Sequence, residues 1–151
     1  MRTLFSCLLA LVIFGSARAG EPGHVFKVLP LLLDQQGRAA TSPSLFDRDA
    51  YQLYLRNHTN EVSAVRYDIL WNVKKSEAAN CRLRLELRAV AADGKPKLKT
   101  LESPVTPGIF RKWNSITLEE ADLKNLGSIV AWRATLWNGS ALIGEQKSFL
   151  W

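Results

Sequence analysis

The sequence predicts an all-β protein, an antiparallel β-sandwich of about seven strands with one or two short helices. Three observations carry this. Two stretches alternate apolar and polar residues with a period of two, turn residues separate short apolar runs along most of the chain, and an Asn138-Gly139 pair joins the last two runs.

The first nineteen residues stand apart. Arg2 precedes an almost unbroken apolar run from Leu4 to Phe14, and Ala17-Arg18-Ala19 is a small-x-small cleavage site. The run is too short to cross a bilayer as a helix. Residues 1–19 are therefore read as a secretory signal peptide cleaved near Ala19, with no transmembrane anchor in the mature chain. Residues 20–151 suit one β-sandwich domain with its own core, secreted or held in the periplasm.

Val25 to Leu33 is an apolar strand interrupted by Pro30, which has no N–H for a ladder and marks an edge. Ser42-Pro43 reads as an N-cap followed by proline in the first turn, opening a helix with Phe46, Ala50, Leu53 and Tyr54 on one face. Tyr51, Leu53 and Leu55 also fit a strand, so both readings stand at this point. Val65, Tyr67, Ile69, Trp71 and Val73 then share one strand face, and Cys81, Leu83, Leu85, Leu87 and Ala89 share another. Each face contributes on the order of 10 kcal/mol of gross burial.

Ala92-Asp93-Gly94-Lys95 predicts a tight turn into a strand at Lys97–Leu101 whose lysines guard an exposed edge. Ile109 to Leu118 reads as the next strand. Thr117-Leu118-Glu119-Glu120 matches a capping box for a short helix that Gly127 closes. Ile129–Trp137 and Ala141–Trp151 form a hairpin, with Asn138-Gly139 predicting a type I′ turn.

The order strand, one-turn helix, strand and hairpin resembles the last three strands of an immunoglobulin-like domain, with Ile116, Leu118, Ala121, Asp122 and Val130 at the crossover between sheets. The Cys…Trp…Cys core of that family is missing, since Val130 or Trp132 stands where a cysteine falls. The resemblance implies the architecture and no particular activity. Leu29–Leu55, with Ser42-Pro43-Ser44-Leu45, and the ending Gln146–Trp151 are also similar to small secreted bacterial proteins of unassigned function.

Charge and cysteine content restrict function. The chain carries 20 Lys and Arg against 14 Asp and Glu; removing Arg2 and Arg18 with the leader leaves a net charge of +4. Outside the cytoplasm a mild positive charge meets phospholipid head groups, anionic polysaccharide or acidic proteins, and nucleic acid is not an expected partner. Cys7 lies in the leader, so Cys81 stands alone: no internal disulfide or cysteine-based zinc site can form, and Cys81 is expected as a buried small hydrophobe.

No catalytic constellation is legible. His24 and His58 lack metal-ligand spacing, there is no GxSxG elbow or glycine-rich phosphate loop, and Glu119-Glu120 suit a helix N-terminus. The chain is read as no enzyme, with no cofactor and no metal. Asn57 and Asn138 head glycosylation sequons, which have no role in a bacterial chain. Arg82, Arg84 and Arg88, joined by Arg66 and Arg133, outline a basic sheet face that cross-strand ion pairs with Asp68 and Glu86 account for. An outer-membrane barrel also alternates apolar and polar residues and ends in an aromatic, but the odd, low strand count and the two helices disfavour it.

The expectation is a non-catalytic binding module. Its first partner class is an envelope or extracellular protein, met by strand edges and the Phe149-Leu150-Trp151 ending. The alternative is a carbohydrate-binding module stacking polysaccharide on Trp113, Trp137 and Trp151, while Trp71 and Trp132 pack in the core.

Overall fold

Alternation along each strand sends one set of side chains inward, and two sheets close over that set. The computed structural model describes residues 22–74 and 80–151; the leader and its cleavage site lie outside the described residues. Among the described residues seven strands form: β1 (Gly23–Asp34), β2 (Val62–Val73), β3 (Cys81–Val90), β4 (Pro96–Pro104), β5 (Lys112–Glu119), β6 (Ser128–Asn138) and β7 (Ala141–Lys147). Helix α1 (Leu45–Asn57) links β1 to β2, and α2 (Glu120–Leu126) links β5 to β6. One antiparallel sheet has the order β1-β2-β5 and the other β4-β3-β6-β7. The expected sandwich is the observed one, and the β5–α2–β6 segment crosses between the two sheets.

The core is built from the two stretches that alternate most cleanly. Tyr67, Ile69 and Trp71 of β2 face Leu83, Leu85 and Leu87 of β3, and Leu118 and Leu136 complete the layer. Trp71 satisfies its indole N–H inside this layer by donating to Asn114 Oδ1 at 2.7 Å. Cys81 is buried in the same layer, and burial pushes its thiol pKa up. Pro30 does lie on an edge strand, since β1 pairs only with β2. The lysine-bearing β4 is an edge too, where Lys99 Nζ donates to the Asp122 carboxylate at 2.9 Å and Lys97 reaches the Asn125 carbonyl.

Several local expectations are corrected. The α1 N-cap is Ser44, whose hydroxyl accepts from the Asp47 N–H at 3.4 Å; Ser42 instead donates to the Asp47 carboxylate at 2.6 Å. The strand reading of Tyr51–Leu55 falls away. The helix also faces the other way. Gln52 and Leu55 are buried, whereas Phe46, Ala50, Leu53 and Tyr54 face solvent, Phe46 at 81% exposure. The reason is Gln52. Its Oε1 accepts from the Leu32 N–H at 2.8 Å, and its Nε2 donates to the carbonyls of Leu32 at 2.9 Å and Ala39 at 2.8 Å. The side-chain amide thus replaces a neighbouring strand at the β1 edge, and that bonding outweighs the apolar stripe.

Thr117 is a strand residue opposite Arg66, so the capping box is not used; Glu119 is the α2 N-cap and makes no side-chain capping bond. Gly127 does close α2, at φ 90°, and a Cβ there would run into the Val90 carbonyl. β5 starts at Lys112 rather than Ile109. In the last hairpin Asn138 pairs with Ala141, so the turn pair is Gly139-Ser140 with positive φ only at Gly139 (58°), the pattern of a type II′ turn. β7 ends at Lys147, and residues 148–151 leave the strand.

Replacing Leu85 by Ala removes a fully buried side chain at the centre of β3. The expected loss is about 3 kcal/mol of unfolding free energy, read as a lower urea midpoint at unchanged slope. Leu98→Ala, on the exposed side of β4, is expected to change stability by no more than about 0.5 kcal/mol.

Candidate functional site

The sandwich is closed unevenly along the side where β1 meets β7. At one end the strands touch: a Cβ on Gly144 would stand 3.2 Å from the Gly23 carbonyl. Further along, β7 has ended while β1 continues, and the sheets part over a cleft of about 600 Å³. Pro30 and Leu32 of β1, Tyr67 of β2, Leu123 of α2, and Ile129 and Trp132 of β6 line it, and Glu120 and Lys124 of α2 are charged members of the lining.

Two features give this cleft binding capacity. The first is backbone. β7 pairs with β6 from Arg133 to Asn138, and Ser148 adds one more rung on Trp132, donating its N–H to the Trp132 carbonyl at 2.9 Å and accepting the Trp132 N–H on Oγ at 3.0 Å. Residues 128–131 have no strand on that side among the described residues, and the β3–β6 register skips Val130, which makes it a bulge residue. The second is Tyr67. Its side chain is 2% exposed, burial pushes its pKa up to about 12, and no protein group among the described residues bonds its hydroxyl. Sequence reasoning missed this site. The unbroken apolar run Ile129-Val130-Ala131-Trp132, which departs from alternation, was its one readable trace.

The expected contact residues do not assemble on one surface. Trp113 is on β5, half exposed, beside Leu70 on the outer face of the three-stranded sheet. Trp137 lies on the outer face of the other sheet. The guanidinium carbons of Arg84 and Arg82 are 4.9 and 5.5 Å from its ring centroid, and its Nε1 donates to Thr135 Oγ1 at 2.9 Å. Trp151 folds back onto that sheet, with Arg88 at 4.0 Å and Arg133 at 5.0 Å from its ring centroid. Phe149 is fully exposed and Leu150 is exposed beside it.

The basic face resolves into ion pairs. Glu102 pairs with Arg84 at 2.6 Å and Arg82 at 3.6 Å, and Glu86 pairs with Arg133 at 2.7 Å. Arg66 does not join them, because it lies on the other sheet and pairs with Asp68 at 2.9 Å. His58 caps α1, its Nδ1 2.9 Å from the Tyr54 carbonyl oxygen and its ring stacked on Tyr54. His24 packs against Phe26.

A buried carboxylate that the sequence did not single out anchors α1. Asp34 accepts from Tyr51 Oη at 2.7 Å, Arg38 Nε at 2.8 Å, and the N–H groups of Arg38 and Gln36 at 2.8 and 2.9 Å. Burial by itself raises its pKa, but the Arg38 N–H, the Tyr51 hydroxyl, the Arg38 guanidinium and the Gln36 N–H outweigh it and hold the carboxyl at about 2. With its acceptor capacity used by the following turn and by Tyr51 of α1, Asp34 is a structural anchor.

No family model and no curated protein matches this chain. A solved structure from Akkermansia muciniphila is similar to it with a TM-score of 0.50 and 10% sequence identity, over 83% of this chain and 68% of that one. At that identity the likeness concerns the fold alone.

Asp34 has a folded pKa below the unfolded value, so its stabilisation is present above about pH 4 and is lost as pH falls towards 2. Asp34→Asn is expected to cost about 2 kcal/mol at neutral pH and to flatten the acid limb of stability against pH. Urea unfolding between pH 2 and 7 reads both effects.

Proposed function

We propose that this chain is a non-catalytic binding module acting outside the cytoplasm, and that its partner is an envelope or extracellular protein. The cleft beside the free β6 edge carries this reading. An extended partner segment laid along residues 128–131 would continue the line in which β7 stops. Its backbone would pair with β6, and alternate side chains would enter the lining of Leu32, Leu123, Ile129 and Trp132. The Tyr67 hydroxyl offers a hydrogen bond at the same place. Ser148 borders the cleft, so Phe149 and Leu150, which follow it, add exposed apolar anchors at its mouth.

The extracytoplasmic placement rests on the leader-like residues 1–19. The lining favours binding over chemistry, because its charged members Glu120 and Lys124 pair with each other. A polysaccharide-binding role is less well supported by the same geometry. Trp113 lies on the opposite sheet from Trp137 and Trp151, and the latter two already hold guanidinium groups over their rings.

A photo-crosslinking side chain at Val130, in source cells, is expected to capture one envelope or extracellular protein, while the same side chain at Phe46 on α1 captures none of it. Val130→Asp puts a charge on the edge and is expected to weaken that complex by about tenfold or more. Trp113→Ala with Trp137→Ala is expected to leave polysaccharide retention unchanged. Retention that disappears in this double variant, with no protein adduct at Val130, would replace the protein reading by the carbohydrate one.

A further inference from the structure

A second surface, at the end of the sandwich away from the cleft mouth, has a different chemistry. The loop 105–111 between β4 and β5 presents Ile109 at 77% and Phe110 at 80% exposure. This loop is braced. Val105 is buried and donates its N–H to the Cys81 carbonyl at 3.0 Å, and Lys112 Nζ donates to the Thr106 carbonyl at 2.8 Å. The Lys112 stem crosses Gly108 so closely that a Cβ there would stand 2.6 Å from its Cε. The two apolar side chains are therefore held outward by a fixed backbone.

The ground around this tip is aromatic and cationic. Arg111 lies 4.0 Å over the ring of Phe26, which joins the tip to the outer face of the three-stranded sheet. On that face Lys27, Leu70 and Trp113 form one cross-strand row. Lys74 is at the same end, its N–H donating to the Pro22 carbonyl at 3.1 Å. Lys27, Lys74, Arg111 and Lys112 are exposed, and the acid in the next cross-strand row of that face, Asp68, is already engaged, pairing with Arg66 at 2.9 Å and accepting from the Ser115 hydroxyl at 2.6 Å. An apolar tip set among exposed cations with a half-exposed tryptophan behind it matches the layers of a lipid surface: hydrocarbon, then the interfacial zone where Trp concentrates, then anionic head groups.

We propose that this end docks on an anionic phospholipid bilayer, with Ile109 and Phe110 entering the acyl boundary, Trp113 and Phe26 at head-group level, and Lys27, Lys74, Arg111 and Lys112 against the phosphates. The surface is separate from the β6 cleft, so a module held to a membrane here keeps its protein-binding cleft open. A protein partner gains less from the same surface, because the apolar area is small and convex and the cations ring it.

The test is flotation of the mature chain with vesicles of phosphatidylcholine alone or with about one-third phosphatidylglycerol. Expected is co-flotation with the anionic vesicles only, weakening as salt rises. Ile109→Ser with Phe110→Ser is expected to weaken partitioning by at least about tenfold. Arg111→Glu with Lys27→Glu is expected to weaken it by on the order of a hundredfold. Both pairs are exposed, and unchanged melting temperatures confirm intact folding. Equal flotation with neutral vesicles, no flotation with either, or anionic binding that ignores the Ile109 and Phe110 changes overturns the proposal. So does loss of a protein adduct at Val130 in these variants without loss of vesicle binding, which would assign the tip to a protein partner.

Discussion

The contact of β7 with β1 at Gly144 and Gly23 governs how the two sheets meet along this side. A side chain at either position would meet backbone or core: Gly23 faces Ile143, Val73 and Leu136, and Gly144 faces the β1 main chain. With both residues lacking a Cβ, the sheets close tightly at that end. β7 is only seven residues long, whereas β1 has twelve. The seam must therefore open where β7 stops, and the cleft follows from that difference in length. Tyr67, Leu32 and Trp132 are partly core residues and partly cleft lining for the same reason.

The β1 edge shows how the chain manages the remaining exposed ladder groups. Gln52 supplies both a donor and an acceptor to Leu32, and Asp34 takes three hydrogen bonds from the turn that follows and a fourth from Tyr51 of α1. Together they fasten α1 across an edge that would otherwise offer a pairing surface. Among the described residues the β6 edge at 128–131 has no such cover. The proposed partner strand rests on this difference between a covered and an uncovered edge.

The outer faces divide in a similar way. On the four-stranded sheet Trp137 and Trp151 sit among four arginines, three of which pair with Glu86 or Glu102 while Arg88 lies over Trp151, so that face is occupied by its own contacts. On the three-stranded sheet Lys27 pairs across the strands with Leu70, Arg111 at the edge of the neighbouring loop lies over Phe26, and the nearby tip is apolar. Counting arginines and tryptophans in the sequence does not separate these faces, because the separation depends on which strands pair.

Period-two alternation in β2 and β3, taken with the regularly spaced turns and the few, short helices, was enough to give the fold class. Alternation alone marks half-buried strands and does not separate a sandwich from a barrel. Proline at position 30 and lysines at 97 and 99 likewise marked edges through properties of single residues. The facing of α1 was not legible: its apolar stripe of Phe46, Ala50 and Leu53 points to solvent because a polar residue, Gln52, has backbone groups to satisfy on a strand twenty positions earlier. Nor was the turn at Gly139-Ser140, where strand register overrode the Asn-Gly preference. Local pattern set what each segment is. Where strands end relative to their neighbours, and which polar groups are left to pair across long separations, is decided by tertiary packing, and the cleft and the basic apolar tip are both products of it.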